Sequence, residues 1–265
     1  MPELPEPIGE RIRAIAADHS SGALELTRRA AEVLLEVAHD PALLAEAAAQ
    51  VARAQPAMAS MRALAETARS GSAIRAFLAE LDSAAEQVAR IAADLIRDGM
   101  TVMTHSSSRT VLDAFLLAHR SGKRIRVIAT ESRPLCEGVA LARTLAEAGI
   151  PVTLIVDAAA ARLLPEVQLV LVGADAVSRQ GVVNKIGTAA LALAARERGI
   201  PMYALASSEK LLPEGVSLPD EGSKAPLEVL DSPAPGVTVA NYYFDRTPLD
   251  WLEGIVTERG IRGRT

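Results

Sequence analysis

Residues Val170 to Gly199 read VLVGADAVSRQGVVNKIGTAALALAARERG. A short apolar run rich in branched side chains breaks at Gly173 into a polar segment. From Ile186 an Ala- and Leu-rich amphipathic segment runs on to a closing Gly199. The pattern predicts strand, loop and helix, with the glycine as the helix stop. A loop that leaves the carboxyl end of a parallel strand is where open α/β sheets bind ligands. Asp175, Asn184, Lys185 and Thr188 fall in this loop or at the helix entry, and an acid, an amide, a cation and a hydroxyl in so short a span suit a small, oxygen-rich, anionic ligand.

The same alternation surrounds this stretch from residue 99 onward. MTVMTH (100–105), RIRVIATE (124–131), VTLIV (152–156), VQLVLVGA (167–174) and MYALAS (202–207) read as strands, and TVANYYF (238–244) as a last short one. Helical segments follow the first four: TVLDAFLLAHRSG, VALARTLAEAG, AAAARLL and the helix already described. Repeated β then α at this spacing implies parallel strands joined by right-handed crossovers, with helices on both faces. Residues 8–97 differ. They are rich in Ala, Leu, Glu and Arg, show apolar positions three and four apart, and are punctuated at Ser20–Gly22, Asp40–Pro41, Pro56 and Gly71–Ser72, which predicts four or five helices. The expected architecture is α/β: a helical amino-terminal domain (1–98) followed by a Rossmann-like, parallel-sheet, ligand-binding domain (99–265). The segment Pro213–Pro235 reads as an irregular connector.

Composition narrows the function classes. Half of the 265 residues are apolar, which fits a globular chain with a large core. A net charge of −5 with both signs interspersed offers no basic face for a nucleic-acid backbone. The single Cys136 and four scattered histidines make neither an internal disulfide nor a zinc pattern, so neither metal nor cofactor is expected. No signal peptide and no apolar run of membrane-spanning length is read, and a cytoplasmic location is expected.

Parallel strands deliver their carboxyl ends to one side, so the polar residues found there are candidates for one cleft: His105, Ser106, Ser107, Ser108 and Arg109 after the first strand, Glu131 and Arg133 after the second, Asp157 after the third, and Asp175, Asn184 and Lys185 after the fourth. A serine run that opens a helix offers backbone N–H groups and the positive end of the helix dipole to an anion, and phosphate is the natural candidate. Each has a plainer reading. Ser107 and Ser108 serve equally as caps, His105 as packed structure, Glu131 and Arg133 as a surface pair, and Asp157 as a helix cap. Capping alone does not explain three different polar chemistries at Asp175, Asn184 and Lys185.

THSSSRTVLDAFLLA, VIATESRPLCEGVALARTLAEAGIPVTLIVDAAAA, VLVGADAVSRQGVVNKIGT and NYYFDRTP resemble the motifs of the alpha, beta and delta regulatory subunits of translation initiation factor 2B and of the related aldose–ketose isomerases acting on methylthioribose 1-phosphate or ribose 1,5-bisphosphate. SSGALELTRRAAEVL resembles the family's amino-terminal helix and brings Gly22 and Ala23 into the expected ligand-binding set. The resemblance implies a catalytic role for Asp175 and ligand contacts from Asn184 and Lys185. The isomerases' catalytic cysteine is replaced by Ser106, and their phosphate-binding arginine of the first domain is absent at Ser21–Ala23. A serine hydroxyl is a poor acid or base beside a thiol. The first loop is closer to the alpha subunit, whereas Asp175 is the isomerases' acid. Two readings follow: a phosphosugar- or nucleotide-binding regulatory protein without the usual isomerase activity, or a sugar-phosphate isomerase whose acid/base pair is Asp175 with His105 or Ser106. A homodimer is implied, and a translation initiation complex is a candidate partner.

Overall fold

The computed structural model describes residues 3–216, 221–232 and 235–263. Its amino-terminal part is five helices: α1 (Glu6–Ala17), α2 (Ala23–Glu36), α3 (Pro41–Ala54), α4 (Ala59–Thr67) and the long α5 (Gly71–Leu95). Asp40 caps α3 by accepting from the Ala42 and Leu43 amides, and Ser70 caps α5 by accepting from Ala73. Ile12, Ile15, Leu26, Leu34, Val51, Met61 and Leu64 pack as the centre of this bundle, and Ile74 from the start of α5 joins them. The end of α5 belongs to a second core: Val88, Ala92 and Ile96 lie against the sheet.

The strands are β1 (Thr101–Thr104), β2 (Arg126–Thr130), β3 (Val152–Ile155), β4 (Leu169–Gly173), β5 (Ala176–Ser178), β6 (Gly181–Lys185), β7 (Met202–Leu205), β8 (Phe244–Thr247), β9 (Gly254–Thr257) and β10 (Gly260–Gly263). Seven form one sheet in the order β10-β9-β7-β4-β1-β2-β3, all parallel except β10. Alternate side chains divide between its faces, as the two-residue period of a strand requires. Val102, Val127, Leu169, Leu171, Leu205 and Val256 meet α5, α6 (Arg109–Arg120) and α7 (Glu137–Glu147) on one side. Met103, Ile128, Val170, Val172, Met202 and Ile255 meet α8 (Ala160–Leu163) and α9 (Thr188–Glu197) on the other. This is the expected α/β architecture: helices first, then a Rossmann-like, mostly parallel sheet.

Three features depart from the expected elements. The polar segment after Gly173 is not a loop but a β-hairpin, β5–β6, which pairs with β8 in a separate antiparallel sheet of order β5-β6-β8. TVANYYF is not the last strand. Pairing with β6 begins only at Phe244, opposite Lys185, because Asn241 and Tyr243 are already committed to the 221–228 segment: the Tyr243 amide donates to Glu221 and the Asn241 side-chain amide to Glu228. The tail carries β9 and β10, which complete the main sheet. Part of the connector, 217–220 and 233–234, lies outside the described residues; 221–228 runs alongside Asn241–Phe244, Glu214 pairs with Arg179, and none of the connector's described residues lines the cleft.

Candidate functional site

The strand order reverses between β1 and β4, and their carboxyl ends open there into a cleft of about 400 Å³, closed from above by the start of α2. That volume matches a small-metabolite site. Its floor carries Asp175, Asn184 and Lys185 from the hairpin, and one wall carries Ser106, Ser107, Ser108 and Arg109. The opposite wall is Ser20–Ala23, with Phe244 and Lys210 also facing in.

Two helix starts point at this space. Ser108 caps α6 through a long bond from the Val111 amide. Gly22 stands at the cap position of α2 and supplies no side-chain acceptor, so the first amides of α2 reach the cleft uncapped. The turn before it is held open by Asp18, which accepts from the Ser20 and Ser21 amides and hydroxyls and from Arg29. Burial raises the Asp18 pKa, but these bonds outweigh it and hold the carboxyl well below the usual carboxylate range. The contrast with α9 is instructive. The Gly187 amide at its cap and the Ala189 amide in its first turn are both taken by the Asp245 carboxylate, which already holds a negative charge at that helix start.

Asp175 is held by its backbone, its amide donating to Val183 and its carbonyl accepting from Ala59, while its carboxylate receives no hydrogen bond from any described residue. Burial pushes its pKa up to about 6, against the pull of Lys210 and Lys185. Lys185 Nζ lies 2.8 Å from Glu137 Oε1, both side chains over 90 % buried, and 5.2 Å from the Tyr243 ring centre. Ser106, at φ 70°, donates its hydroxyl to the same Glu137 oxygen at 2.9 Å and its amide to Ser132 Oγ. Asn184 is anchored through its amide on Thr188 Oγ1. Gly173 has to be glycine. A Cβ there would sit 2.8 Å from the Ser108 side chain, so β4 and the α6 cap approach only because none is present.

The other expected residues lie elsewhere. His105 is buried below the cleft with both ring nitrogens engaged: Nε2 meets the Ile186 carbonyl at 2.8 Å and Nδ1 meets Thr130 Oγ1 at 2.7 Å. A carbonyl only accepts, so the ring proton sits on Nε2, and Nδ1 accepts from the threonine when the ring is neutral. Glu131 and Arg133 do not line the cleft, because β2 and β3 lie on the outer side of β1, away from the reversal. Arg133 reaches the Glu228 carbonyl. Asp157 caps no helix; it accepts from the Ser132 and Arg133 amides and so shapes the β2 loop.

Five titratable cleft residues lie outside the expected set: His19, Glu25, Arg28, Glu137 and Lys210. Lys210 follows the fifth strand, MYALAS, and the strand-end rule applied one strand further finds it. Glu137 looks in sequence like an ordinary acid in the first turn of a helix, and nothing at that level distinguishes it. Among the described residues no group of three His, Cys, Asp or Glu side chains could hold a metal, and no helix is long and apolar enough to cross a membrane.

Comparison with known proteins identifies the family and agrees with the fold. The model of the Initiation factor 2 subunit family matches residues 12–263. The ribose 1,5-bisphosphate isomerase of Archaeoglobus fulgidus is 41% identical over 194 residues, 70% of this chain and 61% of that protein, so the match spans less than two thirds of that relative. A Pyrococcus horikoshii protein described as translation initiation factor eIF-2B subunit 2-like is 37% identical over 272 residues, 97% of each chain. The crystal structure of the Pyrococcus horikoshii OT3 translation initiation factor eIF-2B superposes with a TM-score of 0.87 at 35% identity, covering 97% of both chains.

Proposed function

The chain belongs to the initiation factor 2 subunit family, and from that premise we propose that it is a phosphosugar- or nucleotide-binding regulatory protein resembling the initiation factor 2B alpha subunit, without the usual isomerase turnover. The observation that carries this reading is the uncapped start of α2 opening into a cleft that also holds Lys185 and Lys210. Backbone amides at a helix start, together with cations, bind a phosphate well. In this reading the Gly22 and Ala23 backbone takes one anionic group, while Ser107, Ser108 and Arg109 at the start of α6 receive a second. Asn184, Lys185 and Asp175 meet the oxygens between them. His105 fixes the β1 loop from below, and Glu131 and Arg133 support the outer rim. The turn after β1 is THSSSR, with no glycine to let a pyrophosphate approach the backbone, which favours a compact sugar phosphate over a dinucleotide.

Turnover is not expected because the residue that would work with Asp175 is Ser106, whose proton is already donated to Glu137. A second reading, an aldose–ketose sugar-phosphate isomerase with a changed acid/base pair, is favoured by one observation: a carboxyl that titrates near 6 is well poised to move protons at neutral pH. Thermal-shift screening of phosphorylated pentoses, including ribose 1,5-bisphosphate, and of nucleotides, followed by a turnover assay of each hit, separates the two. Binding without turnover is expected. Turnover that disappears in Asp175→Asn would replace the first reading by the second, and no binding of any phosphorylated pentose or nucleotide would end both.

A further inference from the structure

The hydroxyl of Ser106 has a fixed polarity. Its Oγ lies 2.9 Å from Glu137 Oε1, and that same oxygen lies 2.8 Å from Lys185 Nζ. The carboxylate oxygen accepts from both the ammonium and the hydroxyl, so the single Ser106 proton points at Glu137. The other Glu137 oxygen is buried with no donor among the described residues, so the carboxylate has acceptor capacity to spare. Ser106 lines the cleft, and what it offers an occupant is lone pairs. An electron-rich oxygen of this kind repels a phosphate oxygen and attracts a hydroxyl. Among the described residues the neighbouring Ser107 and Ser108 have no such carboxylate partner: Ser108 Oγ accepts from the Val111 amide, which leaves its proton for an anion.

We propose that Glu137, held by Lys185, makes Ser106 a hydroxyl-recognising acceptor and thereby sets the cleft's preference for a hydroxylated sugar phosphate over a phosphate ester without hydroxyl groups. The inference rests on the phosphosugar reading above and adds a specificity-determining pair to it. Glu137 acts through Ser106 and is a positioning residue.

Glu137→Gln is the informative change. It keeps the side-chain shape, and its carbonyl oxygen stays on Lys185 and on the Ser106 proton, but the acceptor is now neutral, so Ser106 Oγ loses the negative charge that makes it electron-rich. Calorimetric titration with ribose 5-phosphate, tetrahydrofurfuryl phosphate (ring and phosphate without a ring hydroxyl) and inorganic phosphate reads the effect. In the unmodified protein ribose 5-phosphate is expected to bind about tenfold more tightly than tetrahydrofurfuryl phosphate, the scale of one charge-supported hydrogen bond. In Glu137→Gln that ratio is expected to fall toward one, while inorganic phosphate binds as well as before or more tightly. A merely structural role would weaken all three ligands together. Ser106→Ala, which leaves the Glu137–Lys185 pair in place, is expected to lose the same preference, and it carries the test alone if melting curves show that Glu137→Gln does not fold. A ratio unchanged in the folded variants overturns the inference while the phosphosugar reading stands, as does an unmodified protein that binds both esters equally. Binding of neither ester nor phosphate overturns the inference together with that reading.

Discussion

Asp175 titrates near pH 6 because its carboxyl is enclosed on all but its cleft side, and Lys210 and Lys185 make up only part of the lost hydration. An aspartate in the unfolded chain releases its proton near 3.8. Between about pH 4 and pH 6 the folded chain therefore holds a proton that the unfolded chain has lost, so stability falls as pH rises through that window and stays lower above it. Asp175→Asn removes the charge and should raise stability at pH 8 by about 1–2 kcal/mol after allowance for screening on the cleft side, with the difference vanishing near pH 4. Denaturant unfolding at the two pH values measures this. Equal stability at pH 8 would mean that the carboxylate is solvated as an ordinary surface group. Asp175, Asn184 and Lys185 were legible in sequence because three unlike polar groups follow a buried strand. Glu137 and Lys210 were less so, because a carboxylate and an ammonium each look like ordinary solvated surface until the fold brings them against the same floor.

At the scale of elements, the helices and the parallel strands were readable because each buries a repeating face: three-and-four spacing in α2 to α5, alternation or continuous apolar runs in β1 to β4. The β5–β6 hairpin was not, since its residues alternate over only a few positions and its partner β8 is some sixty residues away in sequence. A strand fixed by a distant partner carries little local signal. The uncapped start of α2 gives the sharpest element-scale prediction. Gly22 has an ordinary φ of −73°, and a Cβ there would meet only the Ser107 carbonyl, at 3.6 Å. Gly22→Asp should therefore fold, satisfy the free amides of α2 and leave the melting temperature unchanged or slightly higher. The same carboxylate occupies the anion position, so titration calorimetry should find phosphosugar affinity down by at least about tenfold; undiminished affinity would move the phosphate elsewhere. The docking of α7 onto β2 is less forgiving. A Cβ on Gly138 would lie 1.9 Å from the Thr130 carbonyl oxygen, and neither backbone can yield without breaking the sheet or the first turn of the helix. Gly138→Ala should cost about 3 kcal/mol or more, seen as a melting point lower by several degrees.

Across the whole molecule, α5 ties the two cores together, its first turns in the helical bundle and its last on the sheet. The outer edge of the sheet is less complete. Among the described residues β3 pairs only with β2, and Leu154 and Val156 on or beside it are 45% and 55% exposed. Leu227, Val229 and Leu230 are exposed too, and Arg133 links the two groups, its amide on Asp157 and its guanidinium on the Glu228 carbonyl. Large apolar side chains gathered beside an unpaired strand edge call for a cover, and a second copy of the chain would supply one with matching chemistry. A homodimer through this face is the expectation, with light scattering at micromolar concentration giving about twice the 27.9 kDa chain mass. Leu227 is 63% exposed, so Leu227→Glu should cost the isolated fold little, yet place an uncompensated charge in the buried interface and shift the mass to that of one chain. A wild-type mass of 27.9 kDa would rule out the dimer, and a Leu227→Glu variant that stays dimeric would move the interface off this edge.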